Sequence, residues 1–149
     1  MKSLYDASCV AEVKARLKQL QPESPRQWGK MNAPQAVAHC STAMEWALGD
    51  RKPQRMFLGR IIGQIIKPMV LRDGEPMRRN SPTAPELIIG DLRDLSKERE
   101  QLCSQIDRFA TGPGACTSAP HPFFGRLTPN EWAVLMYKHV DHHLRQFGV

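Results

Sequence analysis

The stretch ELIIGDLRDLSKEREQLCSQIDRF, Glu86 to Phe109, carries Ile88, Leu92, Leu95, Leu102, Ile106 and Phe109 at steps of four and three. Arg99 takes the one polar place in that series. A helix repeats about every 3.6 residues, so these side chains line one stripe. A stripe this long predicts the seam of a helix packed in a bundle. Gly112-Pro113-Gly114 marks its end.

Reading outward, the same periodicity recurs. Upstream, Gln54 to about Leu71 is apolar over a wide arc: Phe57, Leu58, Ile61, Ile62, Ile65, Ile66 and Met69. Gly59 and Gly63 have the spacing that lets another helix approach closely, and Pro68 breaks or kinks the end. That arc reads as core or dimer contact, with membrane association as the minor option. Further upstream, Asn32 caps a helix with Pro34 in its first turn, running to Leu48 and stopping at Gly49-Asp50. The first helix spans about Ala7 to Leu20, with Val10, Val13, Leu17 and Leu20 as its stripe. Downstream, Thr128-Pro129-Asn130-Glu131 is a capping box that opens the last helix, EWAVLMYKHVDHHLRQF.

No segment alternates with period two, and there is no internal repeat. The expected fold is all-α: a four-helix bundle with an additional short helix, as one domain over residues 1–149. The long connection Thr111 to Leu127 holds Pro113, Pro120 and Pro122. It is expected to cover one end of the bundle near a site, with His121 and Phe123-Phe124 as an apolar wall.

A chain of 149 residues with 41% hydrophobic content suits one cored domain. No apolar run suggests a signal peptide or a bilayer span, so the expectation is a cytoplasmic protein without a membrane partner. The four cysteines are scattered, which excludes a disulfide framework and a zinc ribbon. The net charge of +6 and pI near 9.4 come from basic residues interleaved with acidic ones. Nucleic-acid binding is therefore disfavoured, and a small-molecule substrate is preferred. A homodimer is left open.

The last helix places His139 and His143 four residues apart, on the stripe that also holds Trp132, Leu135, Met136 and Phe147. Two imidazoles on a core-facing stripe need a reason, and neutral imidazole is the commonest side-chain ligand of divalent metals. His39 lies on the more apolar side of the second helix and would complete a three-nitrogen site. Three protein ligands leave a position open, as in catalytic rather than structural zinc sites. Zinc comes first, with nickel, iron or manganese as alternatives. For His39 the competing reading is a core histidine bonded to a carbonyl. His142 is about 100° round the helix from His143 and reads as exposed. Gln35, His121 and Arg126 are the candidate substrate contacts, and Arg78 and Arg79 join Arg126 as candidate anchors for an anion. The alternatives for His121 are packing within its loop, which comes first, and a fourth metal ligand; those for Gln35 are a bond to a metal-bound water and simple packing.

Trp28-Gly29-Lys30-Met31 followed by Gln35 and His39, then HPFFGRLTPNEW and KHVDHHLRQFG, resembles an uncharacterised bacterial family of the DinB/YfiT-like metalloenzyme superfamily. The resemblance runs from about Trp28 to the C-terminus. It implies a four-helix bundle with one early histidine and a late His-x-x-x-His pair, which fall on His39, His139 and His143. Many relatives carry His-His-Arg-Gly-Gln where this chain has His142-His143-Leu144-Arg145-Gln146. Some members use a low-molecular-weight thiol in transfer or isomerisation. The implied activity is a metal-dependent, thiol-dependent transferase or a hydrolase acting on a small electrophile. The alternative is a non-catalytic metal-binding bundle in stress response, or one that binds nucleic acid.

Overall fold

Four helices begin where a short polar side chain can satisfy the first free backbone N–H groups. Asp6 accepts from the Ser8 amide and starts α1, Ala7–Gln19. Asn32 and Gln35 form a reciprocal capping box at α2, Ala33–Leu48. Asp94 accepts from the Lys97 amide and starts α4, Leu95–Ala110. Thr128 and Glu131 form a second box at α5, Pro129–Gln146. Between α2 and α4 lies α3, Phe57–Val70, which has no side-chain cap. Short 3-10 turns occupy Pro85–Leu87 and Pro113–Ala115. The computed structural model describes residues 1–149. The chain is all-helical, with five α-helices and no strand beyond an isolated bridge between His121 and Gly125.

Helices α1, α2, α4 and α5 enclose one core, each packing on two of the others: α2 on α4 and α5, and α1 on α4 and α5. Val13 and Leu17 of α1, Met44 of α2, Leu102, Ile106 and Phe109 of α4, and Trp132, Val140 and Leu144 of α5 are all buried there. Two buried polar links fix the neighbours. Ser41 donates to Gln105 at 2.9 Å, joining α2 to α4. The Arg16 guanidinium reaches Asp141 at 2.7 Å, joining α1 to α5, and Arg145 closes on the second carboxylate oxygen at 2.8 Å. A carboxylate this enclosed is tolerated because both of its oxygens are paired.

Two elements depart from the sequence reading. Helix α4 begins at Leu95, not near Glu86. The predicted upper seam residues Ile88 and Leu92 are 69% and 95% exposed. The Leu87 and Asp91 carbonyls, which a continuous helix would keep for its own ladder, instead accept from His39 and Gln35 of α2. Side chains on another helix therefore outcompete the local periodicity.

The apolar arc of α3 is not core. Phe57, Leu58, Ile61, Ile65 and Met69 face outward, and the buried residues of the helix are Gly59 and Gly63. That glycine pair admits no second helix. It admits the backbone of Phe123 and Phe124, which a Cβ on either glycine would strike. The Pro122 carbonyl accepting from Met56, and the Phe124 carbonyl accepting from Gln64, hold the loop in place. Pro68 sits within the last turn without ending the helix early.

Candidate metal centre

His39 projects from the second turn of α2, and His139 and His143 from consecutive turns of α5. The core packing of α2 on α5 brings the three rings together. Ring centroids are 4.8 Å apart for His39–His139, 4.6 Å for His39–His143 and 5.0 Å for His139–His143. One ligating nitrogen from each lies within 4.8 Å of the others. The Nε2 atoms of His39 and His139 are 2.8 Å apart.

The outer nitrogens decide what the inner ones present. His39 Nδ1 is 2.8 Å from the Leu87 carbonyl, which can only accept, so Nδ1 carries the proton and Nε2 offers a lone pair inward. His143 Nδ1 is 2.9 Å from Gln146 Oε1, and Gln146 Nε2 donates to the Trp28 carbonyl at 2.7 Å. The amide is thereby oriented, and it sets the same tautomer on His143. Such outer partners are the usual device for aiming metal-ligating imidazoles. The carbonyl-bonded reading of His39 is met through Nδ1, and the same bond turns Nε2 toward the other two histidines.

Burial keeps the cluster neutral. It pushes the His39 imidazole below its ordinary range, against the opposing pull of the Leu87 bond. His139 is driven well below that range, first by burial and then by the neighbouring His39 and His143. His143 is pushed down to about 3, again by burial first and His39 second. Three neutral imidazoles, two of them fixed by their outer partners so that Nε2 is free of its proton, are a donor set that fits a divalent transition ion.

The remaining expected site residues are distributed around this cluster. Gln35 is one turn before His39, but its oxygen closes the α2 capping box and its amide donates to the Asp91 carbonyl at 3.1 Å. His121 is in contact with Trp46 and Trp132, at centroid distances of 6.3 and 5.3 Å. Those tryptophans stand seven residues from His39 and His139, about 10 Å along the helices. The His121 Nδ1 accepts from the Phe123 and Phe124 amides, both at 3.1 Å, which ties off the loop. Burial and the nearby Arg55 charge push this imidazole down to about 3. Arg126 is exposed, with its carbonyl 3.5 Å from Lys67 Nζ. Arg79 is closer to the cluster: its guanidinium lies 4.0 Å over the Trp28 ring.

His142 is half-buried rather than exposed, because Trp28 covers it at 5.6 Å between ring centroids. Thr111 to Leu127 packs His121 on Trp46 and Trp132, two turns along from the histidine cluster, and His121 is among the groups whose charge acts on His139. The stretch between α3 and α4 makes the direct contacts with the cluster. Lys138 holds its start through the Val70 and Arg72 carbonyls at 2.5 and 2.7 Å. Arg79 then reaches Trp28, and the Leu87 carbonyl reaches His39. Sequence reading reached this stretch only through Arg78 and Arg79 as candidate anion anchors; the contact of the Leu87 carbonyl with His39 had no sequence signal. Gln146 was equally invisible as a partner of His143, although i to i+3 spacing on one helix was the available hint.

A polypeptide with this all-helical frame and three-histidine cluster falls in a class of helical proteins able to hold a metal ion. The chain belongs to the DUF1569 family, described as proteins of unknown function, whose family model matches residues 4–148. No curated protein and no solved structure matches the chain.

Proposed function

We propose that this protein is a metal-dependent enzyme of the DinB/YfiT-like superfamily, acting in the cytoplasm on a small electrophile by thiol-dependent transfer or by hydrolysis. The observation that carries the reading is the convergence of three neutral imidazole nitrogens from two helices within 4.8 Å. His39, His139 and His143 would hold the ion, zinc first among the divalent metals that suit an all-nitrogen set. When bound, an ion with an open position lowers the pKa of a coordinated water or thiol and so supplies a nucleophile at neutral pH.

The chain's own residues do the rest. The Leu87 carbonyl and Gln146 keep two ligands in the productive tautomer. Trp28, His142 and Arg79 form an apolar and cationic edge next to His143, suited to a substrate with a flat body and an anionic tail. Among the arginines considered, Arg79 is the best placed for that tail. Gln35 and His121 support the site's walls, since their polar atoms are already engaged. Burial raises the thiols of Cys40, Cys103 and Cys116 above the ordinary range, so none of these serves as the nucleophile. That favours a thiol brought in as co-substrate.

The test is turnover by metal-loaded protein of glutathione and other small thiols with aryl halides and epoxides, and of the same electrophiles in water alone. His139→Ala is the control. Turnover by the wild type that the variant lacks supports the enzyme. Equal rates across the whole panel would assign the protein to non-catalytic metal binding.

A further inference from the structure

We infer that the outward face of α3 is a docking surface for an anionic lipid membrane. The inference is independent of the metal centre. Phe57, Leu58, Ile61, Ile65 and Met69 are 78%, 52%, 60%, 72% and 63% exposed. They occupy one continuous arc opposite Gly59 and Gly63, the glycines that seat the helix on the Phe123-Phe124 backbone. The arc is therefore fixed outward by the way the helix is mounted. It is not an accident of a loosely attached segment. Apolar side chains gathered on one exposed helix face mark a contact surface, whereas scattered ones do not.

Charge selects the occupant. From Arg51 to Arg72 the chain has six basic residues, Arg51, Lys52, Arg55, Arg60, Lys67 and Arg72, and no acidic one. Arg55 is committed to the His121 carbonyl, and Lys67 to Glu131. Arg51 has the half-buried Glu45 at 3.8 Å, and Arg72 the exposed Glu75 at 3.4 Å. Lys52 and Arg60 have no ion-pair partner, and the backbone of the exposed Arg126 adjoins α3, its carbonyl 3.5 Å from Lys67 Nζ. An apolar face carrying Phe and Leu, flanked by Lys and Arg, is the composition of a helix that lies in a lipid interface. Anionic headgroups would neutralise the flank.

A second copy of the chain fits less well. Two copies apposed on this face would set cations against cations. Helix α3 has 14 residues, about 21 Å of helix. No helix of the protein is long and apolar enough to cross a membrane, so the contact is with the surface.

The experiment is flotation of the full chain with vesicles of phosphatidylcholine alone, and with vesicles of equal parts phosphatidylcholine and phosphatidylglycerol, at low and high salt. The expected result is recovery with the anionic vesicles only, weakened by salt. Ile61→Asp/Ile65→Asp should cut that recovery about tenfold. Both positions are exposed, and circular dichroism checks that helix content is kept. Arg60→Glu, a second variant on the charged flank, should weaken recovery while leaving the apolar arc intact. Failure to float with either vesicle would overturn the inference, as would equal recovery with both. Light scattering that shows a dimer, converted to monomer by Ile61→Asp/Ile65→Asp, would assign the face to a second copy instead.

Discussion

Gln146 grips His143 with its oxygen and the Trp28 backbone with its nitrogen, at 2.9 and 2.7 Å. The last turn of α5 thus ties a ligand of the candidate centre to the loop that precedes α2. Gly29 makes room for this. Its φ is +78°, and a Cβ there would lie 2.5 Å from Gln146 Nε2.

Gln146→Ala should therefore weaken metal affinity about 10- to 100-fold without loss of helix, the usual effect of removing an outer partner of a ligating imidazole. Gln146→Glu keeps an acceptor for His143 and should retain most of the affinity. Gly29→Ala should act like Gln146→Ala, because the flexible amide is what must move. Metal titration by calorimetry, with circular dichroism alongside, checks all three. Unchanged affinity in Gln146→Ala would remove Gln146 from the centre.

His39→Ala and His143→Ala should each abolish stoichiometric metal binding while leaving helicity nearly intact. The buried apolar contacts of α1, α2, α4 and α5 do not pass through the imidazoles. Metal analysis of purified protein and far-ultraviolet spectra before and after chelation decide this. Collapse to coil on chelation would mean that the metal is structural, as in zinc fingers.

His121 is one of four buried imidazoles that make stability fall as the pH falls, and the one outside the candidate centre. Its folded pKa is pushed down to about 3 by burial and by Arg55, against roughly 6.5 in an unfolded chain. Between those values the unfolded chain binds more protons. His121 therefore contributes stability that is fully present above about pH 6.5 and is lost as pH falls toward 3. In chelator, the melting temperature should drop steadily from about pH 7 to about pH 4. His121→Asn can still accept the Phe123 and Phe124 amides but has no imidazole to protonate, so it should make the curve shallower, leaving the slope that the likewise depressed His39, His139 and His143 contribute. An identical slope in the variant would show that His121 is not a source of the acid lability.

Gly63→Ala should destabilise the protein by about 1–3 kcal/mol, because the methyl group meets loop backbone that cannot turn away as a side chain could. Gly59→Ala should behave similarly, since its Cβ would lie 2.5 Å from the Phe123 carbonyl oxygen. Hydrogen exchange should accelerate first in α3 and in the 121–125 loop. Exchange that accelerates uniformly through the core would contradict the view that these glycines serve only that contact.

Much of this protein is local, and local features are legible in a sequence. Asn32 and Thr128 announce their helices through hydrogen bonds made within three residues; the Thr128–Glu131 box stands where the sequence places it, while Gln35, read as a substrate contact, closes a second box with Asn32. His139 and His143 share a face by helical spacing alone, and His39 sits on the apolar side of its helix by the same arithmetic. Their meeting required two apolar stripes to pack on each other, which periodicity implied. Tertiary structure decided what depends on partners remote in sequence. The Leu87 and Asp91 carbonyls turn to α2, so the first part of the predicted fourth helix, before Leu95, never forms and Leu92 is left in solvent. Gly59 and Gly63 meet a loop rather than a helix, which turns an arc indistinguishable from core into an outer surface. The tautomers of His39 and His143 likewise depend on a carbonyl and an amide placed by other segments. Periodicity states which side chains share a face, but only the folded chain determines what that face meets.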